Sequence, residues 1–177
     1  DTELAQRAEL VTLLGQLERV PTRGLNDEDA LNRAYLLRVI NQQIENIDLD
    51  FGRAPIGNGD GFFTAGDYLA YNTPIQSADD AEAWIARLEA LPQYYRQNIA
   101  NARRGIETGY TQPRIVVDRA IETARAQLGT LEDTLLVPFA AMPANMPAAQ
   151  QETFRTRART VIRDQILPVH REAVTFL

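Results

Sequence analysis

The strongest constraint in the sequence is a long run of apolar residues at helical spacing. Seven of them lie three or four residues apart, and they are Trp84, Leu88, Leu91, Tyr95, Ile99, Ala102 and Ile106. This spacing places all seven on one face of an α-helix. A shorter set follows at Val117, Ile121, Ala124 and Leu128. The middle of the chain is therefore predicted to hold two amphipathic helices, and no segment alternates at period two for long enough to indicate a sheet.

The residues between these two helices predict a sharp corner. Gly109 can adopt the left-handed conformation that ends a helix. Pro113 suits the start of the next helix, because its missing N–H would have no partner there. The corner also brings together Tyr110, Gln112 and Arg114, a donor-rich set. Arg114 is able to pair with a carboxylate such as the C-terminus of a peptide, and a local salt bridge is the simpler alternative.

The rest of the chain is also predicted to be helical. We expect helices over 3–20, 27–48, 78–108 and 113–128 as the core set, with Asn26 and Ser77 as N-caps. A short helix reaching Leu136 follows, and Pro147 opens the last helix. We expect Pro92 to kink or break its helix near Leu91 and Pro168 to kink the last one. The predicted fold is all-α, an irregular bundle of about six helices in a single domain over 1–177. In the second helix Leu31, Tyr35 and Val39 form an extra apolar stripe, which indicates more than one neighbour.

A Gly-rich segment interrupts the helices at 49–76. Its hydrophobic side chains, Phe62 and Phe63 among them, must pack against something, because they are too apolar for a free loop. We expect the loop 52–66, including Asp60, to face substrate or another part of the protein. The alternative is that both phenylalanines close the core of the bundle. The sequence NGDG at 58–61 resembles part of a calcium loop, but the later glutamate is missing, and a Gly-rich turn is the favoured interpretation.

Composition excludes several classes of function. The net charge is −6, which argues against nucleic-acid binding, since phosphate recognition needs a clustered basic patch. The chain has no cysteine and one histidine, His170, so it cannot form a conventional zinc site, and we interpret His170 as a surface or interhelical residue. Ser77 is the only serine, and the paired carboxylates sit at predicted helix starts, where the helix dipole explains them. We therefore predict no catalytic residues, metal ligands or cofactor in these residues, and no membrane-spanning helix.

Two segments carry a family resemblance, WIARLEALP at 84–92 and GYTQPRIVV at 109–117. They are similar to the bacterial family known as domain of unknown function 885. In that family a helical N-terminal half precedes a C-terminal half with an HExxH-like zinc helix, similar to that of gluzincin-type metallopeptidases. The present sequence has no HExxH. The resemblance therefore implies that this chain is the non-catalytic front part of a longer protein, and that zinc belongs to the other half.

The resemblance leads to a specific functional hypothesis. The chain would shape one wall of the substrate cleft of a zinc-dependent, peptidase-like hydrolase, with the C-terminal catalytic half as its partner and a peptide as substrate. Asp60, Tyr110, Gln112 and Arg114 are the residues expected to face that substrate. The alternative is a free-standing helical interaction or scaffold domain. We expect a bacterial, exported protein, periplasmic or attached to the envelope, and a cytoplasmic location stays open.

Overall fold

The computed structural model describes residues 2–177, and this part of the chain is all-α, as predicted. Eight α-helical segments carry the fold. They are α1 (Thr2–Glu18), α2 (Asp27–Leu49), α3 (Ala65–Tyr71), α4 (Ala78–Glu107), α5 (Arg114–Gln127), α6 (Leu131–Leu136), α7 (Ala148–Val161) and α8 (Leu167–Phe176). A π-helical turn over Ile162–Ile166 joins α7 and α8, and 3₁₀ turns lie at Phe51–Arg53, Phe62–Thr64 and Val137–Ala141. None of the described helices is long and apolar enough to cross a membrane.

Contacts within the chain divide it into two units, Asp1–Phe51 and Gly52–Leu177. The first contains α1 and α2. Arg7 near the start of α1 pairs with Asp48 near the end of α2, at 2.5 and 2.9 Å. Arg33 donates to the carbonyl of Glu18 at 3.2 Å. These pairings join opposite ends of the two helices, so the unit is an antiparallel hairpin, called here the α1–α2 hairpin. The single domain that we expect over 1–177 stays a prediction.

The second unit is organised around α4. One half of that helix packs against α6 and α7, and the indole N–H of Trp84 donates to the carbonyl of Leu135 at 3.1 Å. The other half packs against α5, α8 and the 3₁₀ turn that carries Phe62 and Phe63. Six of the seven predicted apolar positions on α4 are buried, and Ile106 is the exception at 60% exposure. The helical periodicity thus identified the face of α4 that forms the core.

The structure corrects two details of the sequence-based prediction and adds a third. The segment 49–76 is not all loop, because α3 lies within it. The helix α4 does not break near Leu91 but continues through Pro92, whose ring is buried. Before Pro168 the chain forms the π-helical turn, in which the N–H of Leu167 bonds to the carbonyl of Ile162, five residues earlier. This wider turn makes room for the proline ring, which would otherwise meet the carbonyl of the residue four positions before it.

The predicted N-caps are confirmed. The side chain of Asn26 accepts a hydrogen bond from the N–H of Asp29, and that of Ser77 accepts one from the N–H of Asp80. Each cap pairs an N–H group that has no partner within its helix. The helix starts were therefore readable from the sequence because capping is a local interaction.

Candidate functional site

The corner after α4 is a Schellman motif. Gly109 has a φ of 71°, in the left-handed region, as predicted. The N–H of Tyr110 donates to the carbonyl of Gly105 at 2.8 Å, and that of Gly109 to the carbonyl of Ile106 at 3.2 Å. These two bonds pair carbonyls at the end of α4 that have no partner within the helix. They also fix the direction in which the chain leaves the helix, and hence the position of Tyr110.

The Gly-rich segment packs against this corner. A β-carbon at Gly105 would overlap the carbonyl oxygens of Arg53 and Tyr110, so only glycine permits the close approach. The guanidinium of Arg53 donates to the hydroxyl of Thr108 at 3.1 Å and lies 4.5 Å from the centre of the Tyr110 ring. A cation in this position over an aromatic ring is attracted by the ring's negative face. The segment and the corner are thus held together as one surface.

Between the segment, the corner and the end of α8 lies a pocket with a volume of about 100 Å³. Its walls are mainly apolar, and polar side chains lie around them. The lining residues are Arg53, Ala54, Pro55, Ile56, Ala102, Ile106, Tyr110, Thr111, Gln112, Val117, Phe176 and Leu177. The volume is smaller than the roughly 150 Å³ cavity that accepts benzene in another protein. The pocket is therefore suited to a small aliphatic group.

The structure brings together two of the four predicted site residues. Tyr110 and Gln112 both line the pocket. Arg114 does not: its side chain is 93% exposed and pairs with Asp118 on the next turn of α5 at 3.5 Å. Asp60 lies exposed at the tip of the Gly-rich segment, where its carbonyl accepts from the N–H of Gly57. Tyr110 and Gln112 therefore share a site, and the other two lie outside its lining.

The two phenylalanines of the Gly-rich segment belong to the core. Phe62 and Phe63 are buried, and the ring of Phe62 meets that of Tyr95 edge-on, with 5.4 Å between the ring centres. This is the alternative that the sequence left open. The burial of both rings holds the segment 52–66 against α4, and it positions residues 53–56 at the pocket.

Sequence reasoning missed a buried polar cluster next to this core. His170 is fully buried between helices, which confirms the interhelical interpretation and contradicts the surface one. Its Nε2 lies 2.8 Å from the carbonyl of Ala124, and its Nδ1 lies 3.1 Å from the hydroxyl of Tyr95. A carbonyl only accepts, so Nε2 carries the proton and donates to Ala124. The Tyr95 hydroxyl is also 3.0 Å from the carbonyl of Phe63. His170 lies four residues after the buried Ile166, on the same helical face, and this spacing was the signal in the sequence that His170 is buried.

A partly buried carboxyl, that of Asp67, lies in the same region. Gln127 donates through its side-chain amide to Asp67 at 2.5 Å. Burial raises the pKa of Asp67 and lowers the pKa of His170, because a charge loses its hydration in the interior. Burial likewise raises the pKa of Tyr95 far above the ordinary value for tyrosine. These residues link α3, α4, α5 and α8, and their position away from the pocket lining indicates a structural role.

Within residues 2–177 there is no group of three histidine, cysteine or acidic side chains placed to hold a metal ion. Comparison with known proteins gives a family match. The profile of a family described as "Bacterial protein of unknown function (DUF885)" matches residues 1–177. No curated protein and no solved structure matches the chain.

Proposed function

The chain belongs to the DUF885 family of bacterial proteins. We propose that it is a non-catalytic helical region, and that it forms one wall of the substrate cleft of a zinc-dependent, peptidase-like hydrolase. The catalytic half of the same protein is its partner in this proposal. Export to the periplasm or envelope is part of the same proposal, and cell fractionation tests it.

The observation that carries the proposal is the pocket at the corner. Two segments distant in sequence, 53–56 and 110–112, converge there on apolar walls. Small-molecule and side-chain sites have this composition, in which apolar walls supply affinity and a few polar groups fix orientation. Tyr110 and Gln112 are the orienting groups here. We propose that the pocket accepts an aliphatic side chain of a peptide substrate.

The zinc that the resemblance implies does not fit the residues of this chain. The described residues offer no suitable ligand set, and His170, the sole histidine, is buried with both ring nitrogens in contact with protein atoms. We therefore propose no zinc-binding role for these residues. Their proposed part is to bind and orient the substrate, which lowers the barrier by holding the reacting groups in position.

The test uses the full-length protein that contains this chain. We expect Tyr110→Ala and Gln112→Ala to raise KM or to lower kcat/KM for peptides with an aliphatic side chain at the site, by about tenfold, as is usual for loss of one good contact. Arg114→Ala is a third variant, because its exposed guanidinium is free to reach a substrate carboxylate after leaving Asp118. Metal analysis of the same preparation measures the zinc content.

Ile115→Ala is the matched control. Ile115 is 62% exposed in the same corner and does not line the pocket, so its loss should leave kcat/KM unchanged. The melting temperature of every variant is measured alongside. A full-length protein with neither zinc nor hydrolytic activity would contradict the proposed class of protein. Pocket variants that behave like Ile115→Ala would contradict the proposed site.

A further inference from the structure

The α1–α2 hairpin has an apolar surface that nothing within it covers. Among residues 3–51, only Ile40 is buried. The two helices meet through one face each, and both have a second apolar face. On α2 this second face is the stripe of Leu31, Tyr35 and Val39, with Leu31 and Tyr35 exposed at 69% and 66%. On α1 it is Leu4, Ala8 and Val11, all exposed.

This amount of burial is too small for a stable unit. A helical segment in water gains most of its stability from packing of its apolar face, and units of about this size usually need further burial, a metal or a disulfide. Within residues 3–51 the hairpin has one buried side chain, and the sequence has no cysteine. Covering the second apolar face would add the missing burial, and exposed apolar faces of this kind are typical of interaction sites.

The charge of the hairpin indicates what kind of partner fits. Positions 1–51 contain ten acidic and five basic residues, whereas positions 52–177 contain fourteen and thirteen. The hairpin region therefore has almost all of the net negative charge. Two of its arginines are engaged within the hairpin, Arg7 with Asp48 and Arg33 with the carbonyl of Glu18. Glu28, seven residues before Tyr35, lies on the same face of α2 as the stripe, and Arg38, three residues after Tyr35, lies on that face as well.

We propose that the second apolar face of the α1–α2 hairpin docks an amphipathic helix flanked by basic residues. Such a helix adds a third element to the hairpin, covers Leu31 and Tyr35, and places positive charge near Glu28. A second copy of this chain is a poor occupant, because it would bring two acidic hairpins together. The proposal is independent of the pocket, since it concerns different residues.

The test uses the 177-residue chain and a synthetic 18-residue helix of leucine and lysine with leucine at helical spacing. Fluorescence anisotropy of the labelled peptide measures the Kd at low and at physiological salt. We expect binding that weakens as salt increases, because part of it is electrostatic. A leucine–glutamate peptide of the same pattern should bind at least about tenfold more weakly, since like charges face each other. A scrambled leucine–lysine peptide should also lose the interaction, because it has no apolar face.

Two double variants show whether the hairpin is the site. Leu31→Ser with Tyr35→Ser should weaken the leucine–lysine peptide by at least about tenfold, as loss of a central contact does. Tyr68→Ser with Ile115→Ser removes two exposed apolar side chains of the second unit, 71% and 62% exposed, and should change nothing. Circular dichroism confirms that both keep their helix content. Three results would each overturn the proposal. The two double variants weaken binding equally, the glutamate peptide binds as tightly as the lysine peptide, or the chain forms dimers that the hairpin variant abolishes.

Discussion

At the scale of single residues, two glycines near the corner are needed for different reasons. Gly109 has positive φ, and nothing lies within 4 Å of the place where a side chain would begin. Gly105 is an ordinary helical residue, but two carbonyl oxygens occupy that place. The first is restricted by its own backbone conformation, and the second by its neighbours. Sequence reasoning found the first because a helix end before a proline needs a left-handed residue.

We expect Gly109→Val to lower the free energy of unfolding by at least about 1 kcal/mol, because a β-branched residue is strained in the left-handed region. Gly109→Asn is the matched control and should cost less, since asparagine tolerates that conformation. Urea denaturation measures both. Equal stability of the valine variant and the wild-type protein would show that this backbone conformation is not required.

At the scale of elements, the contact between α4 and the Gly-rich segment depends on Gly105. Replacing glycine by alanine inside a helix normally adds about 1 kcal/mol of stability. Here we expect Gly105→Ala to lose about 2 kcal/mol, because the new methyl group displaces backbone atoms of Arg53 and Tyr110 that have no rotamer to change. Chemical denaturation measures the loss.

The control for this prediction is Gly15→Ala. Gly15 also lies inside a helix, α1, but has open space around its missing β-carbon, so alanine there should be neutral or stabilising. Gly105→Ala should in addition displace the segment that forms one side of the pocket. A stabilised Gly105→Ala variant would contradict the close approach of the two elements.

The helix termini and the proline positions show the limits of local reasoning about elements. Asn26 and Ser77 were identified as caps because their bonds reach only three residues along the chain. Pro92 was expected to kink or break α4; its ring is buried and the helix continues without a break. At Pro168 the π-helical turn accommodates the ring. Packing of a whole helix against its neighbours outweighs the one hydrogen bond that a proline removes.

At the scale of the whole molecule, the buried polar cluster makes stability depend on pH. Burial lowers the pKa of His170 below the ordinary value of roughly 6.5. Below about pH 6.5 His170 is protonated in the unfolded chain but still neutral in the folded chain. The contribution of His170 to the free energy of unfolding is therefore lost as the pH falls. Asp67 acts in the opposite sense. Burial raises its pKa, so its contribution is present in acid and is lost as the pH rises through that raised value.

His170 is the only histidine in the sequence, so an NMR titration reports on it directly. We expect a midpoint below about 6.5 for the folded protein and near 6.5 in urea. Asp67→Asn removes the nearby carboxylate that favours the charged imidazole, and should lower the midpoint further. A midpoint above 6.5 in the folded protein would show that the hydrogen bond to the Ala124 carbonyl and the Asp67 carboxylate stabilise the imidazolium more than burial opposes it.

The sequence by itself determined the longer helices, the caps at Asn26 and Ser77, the core face of α4 and the left-handed turn at Gly109. Each of these rests on interactions within a few residues or on a periodicity of 3.6, which a sequence displays directly. The family resemblance rested on residues 84–92 and 109–117, and the matching family profile covers 1–177. The sequence allowed two positions for Phe62 and Phe63, either in the core of the bundle or on a loop that faces substrate or another part of the protein. It did not decide between them.

Only the tertiary structure decided which residues meet. It placed Tyr110 and Gln112 at one pocket with residues 53–56, and it left Arg114 and Asp60 outside that lining. It also buried His170 against Tyr95 and Ala124, partners 75 and 46 positions away. Contacts over such separations depend on how whole helices pack, and packing responds to the shapes of many side chains at once. No local pattern in a single sequence contains that information.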